Sequence, residues 1–112
     1  MEDFENTFEN VSVELRRGLT NLVVLSQCKQ PVYGYELVKT LGDKGFPLEA
    51  NTVYPLLRRL EKQGFLRSDW DTSTEKPRKY YQISPVGLRF YDRLRNHWYE
   101  NNRIVQEIIE EN

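Results

Sequence analysis

Catalytic chemistry has few groups to work with in this 112-residue chain. His97 is the only histidine and Cys28 the only cysteine, so neither a metal cluster nor a Cys/His pair can be assembled within one copy. No glycine-rich phosphate cradle and no GxSxG elbow occurs. Acids are plentiful, but they occupy helix-surface and tail positions where nothing sets one against another as acid and base. The chain therefore reads as a non-enzyme with no cofactor. The groups that do cluster are of another kind: Asn51, Thr52, Tyr54 and Arg58 stand within one stretch, and Lys76, Arg78 and Lys79 within a second. Cations pair with phosphate, and amide, hydroxyl and guanidinium groups reach base edges, so the chemistry on offer is recognition of double-stranded DNA. Any one of these residues alone is an ordinary solvated side chain, and only the clustering carries weight.

The elements that must hold them are written in the periodicity. Val53, Leu56, Leu57 and Leu60 recur at helical spacing and predict one inward face, which turns Asn51, Pro55, Arg58 and Lys62 outward with Tyr54 and Arg59 on their flanks. Pro55 is tolerated early in a helix, so this one is expected to begin near Asn51 or Thr52, with either as cap, and Gly64 is expected to end it. The period then changes. Phe65, Leu66 and Trp70, followed by Tyr80, Tyr81 and Ile83, predict a two-stranded hairpin, and the span Asp71 to Pro77 is long enough to protrude as a wing. Upstream, Tyr33 to Leu41 reads as a short helix stopped by Gly42, and Asp43 to Ala50 as the turn of a helix-turn-helix. Val11 to Cys28 reads as a further helix, apolar on more than one side.

Ser84 and Pro85 make a clean helix start, and no later proline interrupts the run to Glu111. Along it Tyr91, Leu94, Trp98, Asn101, Val105 and Ile108 step by three and four, as in a helix-helix seam. Such a helix, about 40 Å long at 1.5 Å per residue, outreaches one small domain, and its far end calls for a second copy. Leu94, Trp98, Val105 and Ile108 are the expected dimerisation residues. The fold class is thus mainly α with a two-stranded β-hairpin: a winged helix-turn-helix over 11–83, a C-terminal dimerisation helix over 84–112, and a disordered acidic arm over 1–10.

Net charge is −1 overall, yet residues 1–14 hold five acids and no base, and residues 100–112 hold four acids and one base. The middle of the chain is correspondingly basic, as a groove-facing surface requires. One cysteine excludes an intrachain disulfide, and neither a leader nor a long apolar run is present, so a cytoplasmic protein without a membrane partner is expected.

Three runs in combination carry a family resemblance: Tyr33-Gly34-Tyr35-Glu36-Leu37, then Thr52-Val53-Tyr54-Pro55-Leu56-Leu57-Arg58-Arg59-Leu60-Glu61-Lys62-Gln63-Gly64, then Pro77-Arg78-Lys79-Tyr80-Tyr81 with Ser84 and Gly87. The chain resembles the PadR-like transcriptional regulators along nearly its whole length. The resemblance implies a homodimeric winged helix-turn-helix that binds a palindromic operator and represses. The single C-terminal helix is similar to a compact, multidrug-responsive subgroup, in which a tryptophan of the dimerising helix stacks on flat aromatic compounds between subunits. That likeness implies a planar aromatic effector held by Trp98, with Leu15, Gly18 and Leu22 of the first helix lining the same pore.

Two other readings stay open on the residues alone. Tyr54 and the wing could meet another protein, giving a protein-binding winged-helix module without an effector site. Alternatively DNA binding holds while Trp98 is only an interface anchor.

Overall fold

The computed structural model describes residues 2–111, and Met1 and Asn112 lie outside the description. In chain order the elements are α1 (Glu2–Arg17), α2 (Thr20–Ser26), β1 (Val32–Tyr33), α3 (Gly34–Asp43), α4 (Ala50–Lys62), β2 (Leu66–Asp71), β3 (Arg78–Ile83) and α5 (Pro85–Glu110). The helical spacing read in α4 is the burial observed: Val53, Leu56, Leu57 and Leu60 are all buried. They meet Val24, Leu25 and Cys28 from α2 and its C-terminal end, Leu37 and Leu41 from α3, and Leu66, Tyr81 and Ile83 from the sheet. Burial pushes the Cys28 thiol up to about 12, so this cysteine is a small apolar core residue rather than a nucleophile.

The sheet has three strands rather than two, in the order β1-β3-β2, all antiparallel. The added strand is two residues long, too short to show an alternating pattern, and pairs Val32 with Tyr81 and Tyr33 with Tyr80. The expected arm over 1–10 requires correction, because its described part is the first half of helix α1. Phe4, Phe8, Val11 and Leu15 recur at spacings of four and three, a helical stripe that a count of acids conceals. The helix expected from Val11 to Cys28 is broken at Gly18-Leu19 into α1 and α2. Glycine lacks the side chain that favours a helix interior and is the weakest point of the run.

α3 ends at Asp43, one residue past Gly42, and just beyond it Gly45 takes φ +91° and the Phe46 amide donates back to the Leu41 carbonyl. α4 begins at Ala50, next to the expected start, but neither Asn51 nor Thr52 is its cap. The Glu49 carbonyl accepts from the Thr52 and Val53 amides, and no side chain caps that end. Pro55 sits inside the helix on its solvent side, where the Asn51 carbonyl it leaves unpaired can be hydrated. Gly64 closes α4 with φ +86°, a conformation that a residue with a side chain rarely adopts.

Ser84 caps α5 as expected: its hydroxyl accepts from the Gly87 amide at 3.0 Å and donates to the Gly64 carbonyl at 2.6 Å, tying two helix ends together. Gly87 and Tyr91 are buried, so the first two turns of α5 belong to the domain core. From Asn96 to Glu111 every residue is exposed. No helix among the described residues is long and apolar enough to cross a membrane.

Candidate nucleic-acid interface

Burying one face of α4 decides what the other face presents. Asn51, Thr52, Tyr54, Pro55, Arg58, Arg59 and Lys62 are all exposed. Among the described residues Arg58 and Lys62 make no ion pair, so their charges are available to a ligand. Tyr54 is partly covered, and its ring lies against Gly34 at the start of α3. A Cβ at Gly34 would approach the Tyr54 ring to 2.4 Å, so only glycine leaves the ring in place. The Tyr33-Gly34 step and Tyr54 of α4 are therefore one steric unit.

The wing is more occupied than its sequence suggests. Lys76 lies exposed in the loop, where its carbonyl accepts from the Thr74 hydroxyl at 2.9 Å. Arg78 is half-buried in a cluster. Its guanidinium donates to the Tyr35 hydroxyl at 3.0 Å, to the Tyr33 hydroxyl at 3.4 Å and to Asp71 Oδ2 at 3.3 Å, and it stacks 4.3 Å from the Tyr33 ring centre. The Tyr33 and Tyr35 rings are themselves stacked at 5.8 Å. Asp71 also accepts from the Tyr33 hydroxyl at 2.5 Å and from the Ser73 hydroxyl and amide at 2.6 and 3.0 Å. The Ser73 and Tyr33 hydroxyls, with smaller help from the Ser73 amide and Arg78, hold the Asp71 carboxyl well below the usual carboxylate range. Lys79 lies 3.6 Å from Glu61 Oε1 on α4, near the Trp70 and Tyr81 rings, while Ser68 donates to the other oxygen of Glu61.

Neither Asp71 nor Glu61 stands out in the sequence as a site residue. For Asp71 the hairpin is the signal that could have found it, since it faces Arg78 across the two strands seven residues away, whereas Tyr33 stands 45 residues from Arg78 and meets it because β1 joins the sheet beside β3.

The fold and this exposed helix are shared with known proteins. A family model for the PadR-like transcriptional regulators matches residues 22–93, which span the helix-turn-helix, the wing and the start of α5. This chain belongs to the PadR-like family. As such a regulator it is a DNA-binding protein of transcription control and not an enzyme. The chain is 45% identical to a PadR family transcriptional regulator of Eggerthella lenta, whose crystal structure superposes over the whole of both chains with a TM-score of 0.95. A PadR-like regulator from Bacillus cereus is 27% identical and superposes with a TM-score of 0.76, over 86% of this chain and 96% of that one. Transcriptional regulator Rv3488 of Mycobacterium tuberculosis is 31% identical over 75 residues, which are 66% of this chain and 70% of its own.

For this PadR-like regulator the residues expected to hold an effector fall in different surroundings within one protomer. Leu15 faces solvent, and Leu22 packs against the core. Gly18 lines a cavity of about 570 Å³ with Arg59, Gln63, Phe65, Phe90 and Leu94. Trp98 stands farther along α5, 37% exposed, its ring tilted against Tyr99 at 5.0 Å. Of the residues expected to form a dimer contact, Val105 and Ile108 are exposed and Leu94 is half-buried.

Proposed function

We propose that this PadR-like regulator is a homodimeric repressor of a palindromic operator, acting in the cytoplasm and released by a planar aromatic effector. The observation that carries the DNA-reading half is the exposed face of α4, where Asn51, Thr52 and Arg58 stand clear of the core stripe. Two copies related by a two-fold axis would set α4 into successive major grooves, with half-sites about one helical turn apart. Asn51, Thr52 and Arg58 then meet base edges or nearby phosphates. Tyr54, Lys76, Arg78 and Lys79 hold the backbone.

Support for the dimer comes from α5. The stripe that buries Tyr91 in the protomer's own core continues uncovered through Trp98, Val105 and Ile108, and exposed Ile104 and Ile109 widen it. So apolar a helix end is stable in water only when another surface covers it. Exposed Phe4, Phe8, Val11 and Leu15 give α1 a second such stripe. An effector bound near Trp98, between two such helices, would bias the spacing of the two α4 elements and so weaken binding to a fixed operator.

Selection of bound duplexes from a random pool, with and without a panel of planar aromatic compounds, tests target, symmetry and release together. The expected product is a two-fold symmetric site whose recovery falls with at least one compound. Recovery of asymmetric sequences, or no enrichment at all, would overturn the operator reading. Titrating the same compounds into a Trp70→Phe protein tests the effector: quenching of Trp98 is expected, and no quenching by any of them removes the pore.

A further inference from the structure

Two of the three wing cations expected to grip phosphate are already paired inside the protein. Arg78 contacts Asp71 at 3.3 Å and Lys79 contacts Glu61 at 3.6 Å, and each pair is roughly two-thirds or more covered. Both acids share a second property: they hold neutral donors besides the cation. If Arg78 leaves, Asp71 keeps the Tyr33 hydroxyl and both donors of Ser73. If Lys79 leaves, Glu61 keeps the Ser68 hydroxyl. A carboxylate abandoned by its only partner is costly, whereas one that retains hydrogen bonds near water is not.

We propose that Asp71 and Glu61 are the resident counter-ions of the wing, built to hand Arg78 and Lys79 over to DNA phosphate and to take them back on release. The inference rests on the DNA-binding surface proposed above and adds what governs its affinity. In the free protein the hydroxyls of Tyr33 and Tyr35 also brace the guanidinium of Arg78, so the wing is held in one position before DNA arrives. On contact a phosphate replaces the carboxylate. The cation released from the DNA is then offset by one drawn to the vacated acid, and the exchange contributes little to the dependence of binding on salt. The salt slope of the natural protein consequently reports its unpaired cations, Arg58, Lys62 and Lys76 among them, more than its wing pair.

The test is binding of a fluorescent random-sequence duplex across a salt series by the full-length protein and its Asp71→Asn and Glu61→Gln variants. Removing each acid should raise affinity at 50 mM salt. It should also steepen the slope of log K against log salt by up to about 0.9 for each freed cation, an added loss of about 3.5-fold between 50 and 200 mM. An unchanged or shallower slope in a variant overturns the role of that acid. Asp71 also orders the loop, so Glu61→Gln, which leaves the Tyr33 cluster untouched, keeps the proposal open to refutation if Asp71→Asn loosens the wing. Arg58→Ala and Lys76→Ala separate the two readings. If they weaken binding while the acid variants keep the natural slope, only the counter-ion proposal fails. If they too bind as the natural protein does, the DNA surface itself is wrong and both fall.

Discussion

Asp71 shows how much a single side chain at the wing base depends on its neighbours. The hydroxyl of Ser73 first, then that of Tyr33, stabilise its charged form, so its carboxyl lies below the ordinary value of 3.8. The same bond raises the Tyr33 phenol above 10.0, because the donating, protonated phenol is the favoured form. The signs follow from proton counting. At Asp71 the folded protein binds fewer protons than the unfolded chain, so its contribution is complete above the ordinary carboxylate range and is lost as pH falls through the lower folded value. At Tyr33 the contribution is complete below the ordinary phenol value and is lost as pH rises through the higher one. The Ser73 amide is therefore expected to stay hydrogen-bonded down through about pH 4 and to be released only on further acidification. Its NMR chemical shift checks this, and a midpoint at the ordinary carboxylate value would contradict it.

Among the elements, the junction of α4, the hairpin and α5 is the tightest. Gly87 is buried under the Phe65 carbonyl, which also accepts from the Ser84 amide at 2.9 Å. A Cβ at position 87 would stand 2.1 Å from that carbonyl oxygen, a backbone atom that cannot swing aside. Gly87→Ala is expected to destabilise by about 3 kcal/mol, at the upper end for overpacking. Gly42→Ala is the control: nothing lies within 4 Å and the residue is helical, so a gain of about 0.5–1 kcal/mol is expected. Urea unfolding midpoints at one fixed protein concentration compare the two, and equal effects would refute the steric account. Element types were legible wherever a period ran long enough. Val53, Leu56, Leu57 and Leu60 declare α4, and Ser84-Pro85 declares the start of α5. Ends were less legible: Gly18-Leu19 breaks a helix that periodicity alone runs on to Cys28, whereas α3 ends one residue past Gly42.

For the whole molecule, the exposed half of α5 is the feature that one protomer cannot explain. Ile108 is 56% exposed and continues the stripe of Trp98 and Val105. Ile108→Glu is expected to yield monomers in analytical ultracentrifugation and to weaken binding to a selected palindrome by about a hundredfold or more, since bivalent engagement is lost. A variant that sediments as the natural protein does would show that this stripe is not the interface. The acidic ends fit the same arrangement, since α1 and the far part of α5 carry negative charge away from the basic middle of the chain.

By itself the sequence determined the winged helix, the exposed face of α4 and the family, because helix periodicity, a glycine stop and a capping serine are local properties of neighbouring residues. It also pointed to Arg78 and Lys79 as basic wing residues. Only the tertiary structure decided what those two cations touch. β1 carries Tyr33 to the edge of the sheet beside Arg78, and the sheet carries Lys79 to Glu61 on α4. Asp71 faces Arg78 across the hairpin only seven residues away, but Tyr33 and Glu61 lie farther along the chain, and hydrogen bonds and charges act over a few ångströms of space, so residue order alone could not show the whole set of partners that hold the wing's cations.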